Sequence, residues 1–209
     1  MEFDVARIVI GFTVLLLSLS FHEAAHAWSA DALGDPTARR LGRVSLNPVV
    51  HIDPIGTLLF PLIAMFTNLP LIGWAKPVPV GVQHLGSQWR QKFMLIAAAG
   101  PISNLVLALV ASGLLRLGLA STGTGLDQTS ARLLYTGLTL NVLLAVFNMI
   151  PVPPLDGGNV LAGLLPGRAA AILDRIRPYG FLILYALLLT GVVSTVVEHI
   201  ADPIVSWLD

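Results

Sequence analysis

Residues 5–30 read VARIVIGFTVLLLSLSFHEAAHAWSA, an apolar run interrupted only by Arg7 before it reaches His22-Glu23-Ala24-Ala25-His26. The run is long enough to cross about 30 Å of hydrocarbon. In a helix, His22 and His26 lie on one face, one turn apart. That H-E-x-x-H spacing lets two imidazoles bind one zinc ion, with Glu23 placed to act on a metal-bound water. Ionisable side chains at membrane depth are costly and are read as functional by default.

The rest of the chain fits a membrane protein. Of its 209 residues, 55% are hydrophobic and only 11% charged, where a soluble domain carries about a quarter. The mean hydropathy is +0.80. The length suits one membrane-embedded domain over 1–209. Twelve basic and twelve acidic residues cancel, which gives no reason to propose nucleic acid as a partner. With no cysteine, a zinc site must use His and carboxylate ligands. The first residues include Glu2 and Asp4 against Arg7 alone, so the basic region of a signal peptide is missing and the first helix is expected to be retained.

Four segments are expected to span: Val5 to Ala30, Phe93 to Leu115, Arg132 to Ile150 and Tyr179 to Val197. A fifth apolar stretch, Ile55 to Ile72, contains Pro61, Asn68 and Pro70. It is expected to be a re-entrant hairpin, because a full crossing would put His22 and Asp156 on opposite faces of the membrane. Irregular backbone at that depth is allowed where protein shields it. Charge agrees independently. With the hairpin, Arg39, Arg40, Arg43, Lys76, Arg90, Lys92, Arg168, Arg175 and Arg177 share one side, against Arg7, Arg116 and Arg132 on the other. The positive-inside rule makes the richer side cytoplasmic, so the site is expected to open towards the cytosol. Leu41 to Leu46 alternates like a strand, and Lys76-Pro77-Val78-Pro79-Val80 is a second extended piece. The two are expected to form a small β element on the cytoplasmic side. The expected fold class is therefore an all-α multi-pass membrane protein with about four transmembrane helices, one hairpin and that β element.

Glu23 fits a general base, which takes a proton from the attacking water and returns it to a leaving amine. Asp156 is the proposed third metal ligand, in Asn148-Met149-Ile150-Pro151-Val152-Pro153-Pro154-Leu155-Asp156-Gly157-Gly158. The prolines end a helix, and the glycines permit a close turn. Asp53, in Asn47 through Pro54, is the rival, and spacing alone does not decide between them. His51 reads as an interfacial histidine near the hairpin, and His84 and His199 as solvated. Trp28, Trp74, Trp89 and Trp207 read as interfacial anchors.

In these motifs the chain resembles the site-2 protease family of intramembrane zinc metalloproteases. HEAAH is similar to its first signature, and Asn148 through Gly158 to its second, N-x-x-P-x-x-x-L-D-G-G. Ala99-Gly100-Pro101-Ile102-Ser103-Asn104 is similar to its glycine-containing middle helix. Gly34 to Thr57 and Gly73 to Val80 resemble a minimal prokaryotic branch without PDZ or CBS domains. The resemblance implies zinc held by His22, His26 and Asp156, with Glu23 catalytic. It also implies that Asn148 helps hold the substrate or the developing oxyanion. The expected partners are a transmembrane protein substrate and the lipid bilayer of the cell membrane, and the expected reaction is peptide hydrolysis in or beside the bilayer. A metal-binding membrane protein without protease activity, a transporter or a pseudoenzyme, is the alternative. The natural substrate and the oligomeric state are not legible in the sequence.

Overall fold

The computed structural model describes residues 5–67, 73–120 and 127–209. Helix α1 (Val5–Ala32) carries the H-E-x-x-H motif and ends before Gly34, whose φ of +105° suits the turn that follows a helix. A short α2 (Thr37–Arg40) follows. A 3₁₀ turn over Pro48–His51 starts at Asn47, whose side chain accepts from the Val49 N–H. A π-helical turn over Pro54–Leu59 starts at Asp53 and runs into α3 (Phe60–Thr67). Then come α4 (Trp89–Ala120), α5 (Gln128–Asn148), α6 (Asp156–Leu164), α7 (Gly167–Ile176), α8 (Gly180–Leu189) and α9 (Val192–Leu208).

Helices α1, α4 and α5 are long and apolar enough to cross a membrane. Helix α4 is central and packs along α1, α5 and α6. Small residues let the backbones approach: Ala24, Ala27 and Ala30 of α1 are buried, as are Ala97, Ala108 and Ala111 of α4. The outer face of α4 exposes Ile102, Val106, Leu109, Val110 and Leu117. Such a face would be a liability in water and is ordinary in lipid. Val193, Val197 and Ala201 of α9 close the core against Leu138 and Val142 of α5.

Two expectations need correction. The segment Tyr179 to Val197 is not one helix. Gly191, at φ +75°, takes the left-handed conformation that ends helices, and Gly167–Leu189 meets Val192–Leu208 at 77°. By length and composition the described residues offer three spans, or four if this bent pair counts as one.

The expected β element is also not formed: the described residues contain no strand. Gly42, at φ +67°, turns the chain inside Leu41–Leu46, and the Arg43 N–H returns to the Ala38 carbonyl. Residues 74–80 are extended but have no ladder. Pro77 and Pro79 have no N–H to give, and the Val78 N–H goes to the Glu23 carboxylate at 3.0 Å. Two backbone bonds tie this segment to the other arm of the Ile55–Ile72 region: Trp74 N–H to Gly56 O (3.1 Å) and Lys76 N–H to His51 O (2.9 Å). Residues 68–72, the expected tip of the hairpin, lie outside the described residues.

Candidate active site

The H-E-x-x-H turn sits in the second half of α1, facing α4 and the start of α6. The imidazoles of His22 and His26 stand edge to face, their centroids 4.6 Å apart. The His26 Nδ1–H donates to the Ile96 carbonyl of α4 at 2.7 Å. A carbonyl only accepts, so in the neutral ring the lone pair is on Nε2. That atom lies 3.0 Å from His22 Nε2 and 3.4 Å from Asp156 Oδ2, and His22 Nε2 is 3.1 Å from the same oxygen. Acceptors this close repel unless a positive charge lies among them. Two imidazole nitrogens and a carboxylate oxygen, with one side of the cluster open, are the donor set of a catalytic zinc site.

Gly100 makes room for this cluster. A Cβ built there would lie 2.6 Å from His22 Nε2 and closer still to His26 Nε2, filling the space in front of the ligand atoms. Asp156 reaches it from a different kind of backbone. After α5 the chain leaves the helix through three prolines and restarts α6 at Asp156 itself. A Cβ on Gly157 would meet the carbonyl of Ile150 at 2.5 Å, so only glycine permits the fold-back that delivers the carboxylate.

Glu23 is buried and lines the same cavity, of about 470 Å³. Its Oε2 accepts the Val78 N–H at 3.0 Å. One wall of the cavity is the extended chain Gly73 to Val80; the apolar side chains of Leu144, Phe147, Phe181 and Leu184 also line it. Asn148 also lines it, but its Nδ2 donates to the Leu144 carbonyl of its own helix at 2.9 Å.

Other sequence expectations fall elsewhere. Asp53 caps the π-helical turn, its Oδ1 accepting from the N–H groups of Ile55 (3.0 Å) and Gly56 (2.8 Å). His51 is buried behind the wall, with Nε2–H on the Ser45 carbonyl and Nδ1 without a partner among the described residues. Burial lowers its pKa. His84 is not simply solvated: its Nδ1 lies 3.0 Å from the fully buried Asp35 carboxylate. Trp74 lines the cavity, edge-on to Phe60 at 5.2 Å and Phe181 at 6.1 Å. Asn159 was not anticipated. It lines the cavity three residues after Asp156, a relation visible only once α6 is known to begin at Asp156.

Comparison with known proteins agrees with this geometry. The pattern of peptidase family M50 matches residues 116–191. YwhC of Bacillus subtilis, whose name includes the words zinc metalloprotease, is 39% identical over 189 residues, covering 87% of this chain and 81% of that protein. Rip2 of Mycolicibacterium smegmatis, named in the same terms, is 32% identical over 182 residues, 84% of this chain and 64% of its own length. A zinc metalloprotease of Methanocaldococcus jannaschii is 27% identical over 156 residues, 74% of this chain and 34% of that protein. No solved structure matches. The extent and level of identity to the Bacillus protein show that this chain belongs to peptidase family M50, the site-2 protease family.

Proposed function

We propose that this protein is an intramembrane zinc metalloprotease that hydrolyses peptide bonds in transmembrane or membrane-proximal segments of other membrane proteins. The observation that carries this reading is the convergence of His22, His26 and Asp156 within hydrogen-bond distance of one another, beside Glu23, in a cavity inside an apolar helix bundle. His22, His26 and Asp156 would hold the ion, which would supply a Lewis acid that activates water near neutral pH. Glu23 would take the proton of the attacking water and return it to the leaving amine. The Val78 N–H keeps one oxygen of Glu23 engaged, which leaves the other for the proton. Asn148 meets the substrate or its developing oxyanion by turning its carboxamide away from Leu144.

A substrate helix hides its carbonyls in its own hydrogen bonds and has to unwind before cleavage. The extended chain Gly73 to Val80 is the support for the unwound stretch. The bonds that join Trp74 to Gly56 and Lys76 to His51 support a re-entrant Ile55–Ile72 hairpin, since both arms leave it at one level. Contacts among the basic residues support a single cytoplasmic end: Arg39 on Asp31, Arg90 on Asp174, Lys92 on the Leu33 carbonyl and Arg43 on the Lys76 carbonyl. The protein then sits in the cell membrane with its site opening to the cytosol.

The test is cleavage of a panel of single-span substrates by zinc-loaded protein beside Glu23→Gln. Cleavage is expected to fall about 10²–10⁴-fold in the variant with zinc still bound. A Glu23→Gln protein as active as the native one would overturn the assignment of the base. Zinc binding by the native protein without cleavage of any substrate in the panel would favour a metal-binding protein that is not a protease.

A further inference from the structure

We propose that Asn104 is a positioning residue for the metal centre: held in one orientation by Asn141, it fixes His22 with its proton on Nδ1 and its lone pair on Nε2. This rests on the metal-centre reading above and adds two residues to which that reading gives no part.

The chain of bonds starts at two backbone carbonyls, which can only accept. On α5, Asn141 Nδ2 donates to the Gly137 carbonyl at 2.8 Å, so Asn141 presents its oxygen to α4. Asn104 Nδ2 donates to that oxygen at 2.8 Å and reaches the Ser18 carbonyl of α1 at 3.4 Å. Asn104 must therefore present Oδ1 to His22, whose Nδ1 lies 2.6 Å away. An oxygen acceptor there makes His22 Nδ1 the donor and leaves Nε2 as the lone-pair atom that faces His26 and Asp156. Flipping Asn141 would set its oxygen against the Gly137 carbonyl and its N–H₂ against that of Asn104, and flipping Asn104 would set its oxygen against the Asn141 oxygen and the Ser18 carbonyl.

Burial makes that polarity binding. Asn104 is 0% exposed, and His22, Ser18 and Asn141 are each 4% or less. No solvent is at hand to rescue a mismatched amide, and an unpaired polar group there carries its full desolvation cost. Two buried asparagines on neighbouring membrane helices are a costly way merely to pack.

The two histidines solve one problem by different means. His26 Nδ1 is fixed by the carbonyl of Ile96, which any residue would supply. His22 lies one turn earlier on α1 and needs a side chain to supply the acceptor. Ile96, Gly100 and Asn104 follow at four-residue steps on one face of α4, so that this face offers an acceptor, a hollow and a second acceptor. Partners that orient a metal-bound imidazole in this way typically change metal affinity 10–100-fold when removed.

The test measures zinc affinity by competition with a chelator for the native protein, Asn104→Leu, Asn104→Asp and Asn141→Leu, each checked for folding by thermal melt. Asn104→Leu is expected to weaken zinc binding about 10–100-fold. Asn104→Asp keeps an acceptor for His22 and is expected to bind zinc within a few-fold of native while melting lower, because its second oxygen faces the Asn141 oxygen and the Ser18 carbonyl; Asn141→Leu falls between in zinc affinity. A structural role alone would lower the melting temperature of the leucine variant without moving its zinc affinity, and that result overturns the proposal. So does equal loss in the leucine and aspartate variants. Should Asn104→Leu not fold, ring ¹⁵N shifts of His22 in the native protein, with and without zinc, decide: a proton on Nδ1 is expected in both states, and an Nδ1 without a proton overturns the proposal. A native protein that binds no zinc would instead sink the metalloprotease reading, and the metal-free ¹⁵N shifts would still answer for Asn104.

Discussion

The two sides of the cavity are built by opposite means. Its floor is helical: His22, Glu23 and His26 on α1 meet α4 and the first turn of α6, and positions are set by close packing around Gly100 and Gly157. Its wall, Gly73 to Val80, is extended chain held at separate points. The Glu23 carboxylate takes the Val78 N–H, the Arg43 guanidinium donates to the Lys76 carbonyl, the Thr57 hydroxyl donates to the Trp74 carbonyl and the Asp35 carboxylate takes the Gly81 N–H. Packing fixes a geometry collectively, so a small intrusion disturbs all of it. Point contacts fail one at a time. The floor is therefore expected to be all-or-none towards substitution and the wall graded.

The largest effect is expected at Gly100. In Gly100→Ala the new methyl would occupy the space in front of both Nε2 atoms, and the rings would have to turn away from Asp156. Zinc affinity is expected to fall by roughly 100-fold or more, with loss of cleavage, at the upper end of what losing a ligand's orientation costs. The metal-free protein is expected to be less stable too, because pushing two buried rings off their partners costs about 1–3 kcal/mol, more than the roughly 0.5–1 kcal/mol by which alanine is favoured over glycine inside a helix. Chelator competition and a melt of the metal-free protein read the two effects separately. Zinc binding at native strength in this variant would mean that the floor yields like the wall.

A middling effect is expected at Arg43, which is buried and whose guanidinium caps the Lys76 carbonyl. Arg43→Ala removes a bond from a charged donor, worth about 1.5–3 kcal/mol, and leaves a carbonyl without its partner. The wall is expected to loosen, raising KM for a single-span substrate about tenfold, with zinc affinity unchanged and partial recovery in Arg43→Lys. If zinc were lost as well, floor and wall would be one unit and the contrast between them would be wrong.

The same contrast explains what could be read from the sequence. His22 and His26 were legible because a helix converts a spacing of four into one face. Asp156 was legible only as part of a motif: spacing left Asp53 as a rival until the fold put Asp53 at the head of a π-helical turn. The wall was misread as part of a sheet. The prolines of Lys76 to Val80 suggest extended backbone but say nothing about what satisfies it, and here the Glu23 side chain and single carbonyls of Gly56 and His51 do so where a ladder was expected. Gly191 broke the expected last span because a single left-handed residue outweighs an apolar run on either side. Asn104 passed as the end of a stretch similar to the family's glycine-containing middle helix, since its contacts are with Asn141 and His22, which are far from it in the chain.

The smallest effect is expected at the far end of the wall, and it carries a pH signature. Asp35 is fully buried, and its carboxylate accepts from Gly81 N–H (2.7 Å), Thr37 N–H (3.1 Å), the Thr37 hydroxyl (2.5 Å) and His84 Nδ1 (3.0 Å). Burial alone would raise its pKa, but these donors outweigh it and hold the group below the ordinary carboxylate value near 3.8. A depressed folded-state pKa means that the unfolded chain takes up its proton first as pH falls. The stabilisation from this clasp is therefore complete above the unfolded pKa, about 3.9, and is lost as pH drops through the folded value. In Asp35→Asn the carboxamide keeps one acceptor oxygen and turns an N–H₂ towards donors, so the substitution is expected to cost about 1–3 kcal/mol at pH 7. The gap between native and variant should close on acidification below about pH 4, while zinc affinity at pH 7 stays the same because the clasp touches only the wall. Thermal melts from about pH 3 to 7 measure it. A gap that stayed constant across that range would mean that Asp35 contributes through packing and not through its charge, and the wall would then owe its position to the same collective fit as the floor.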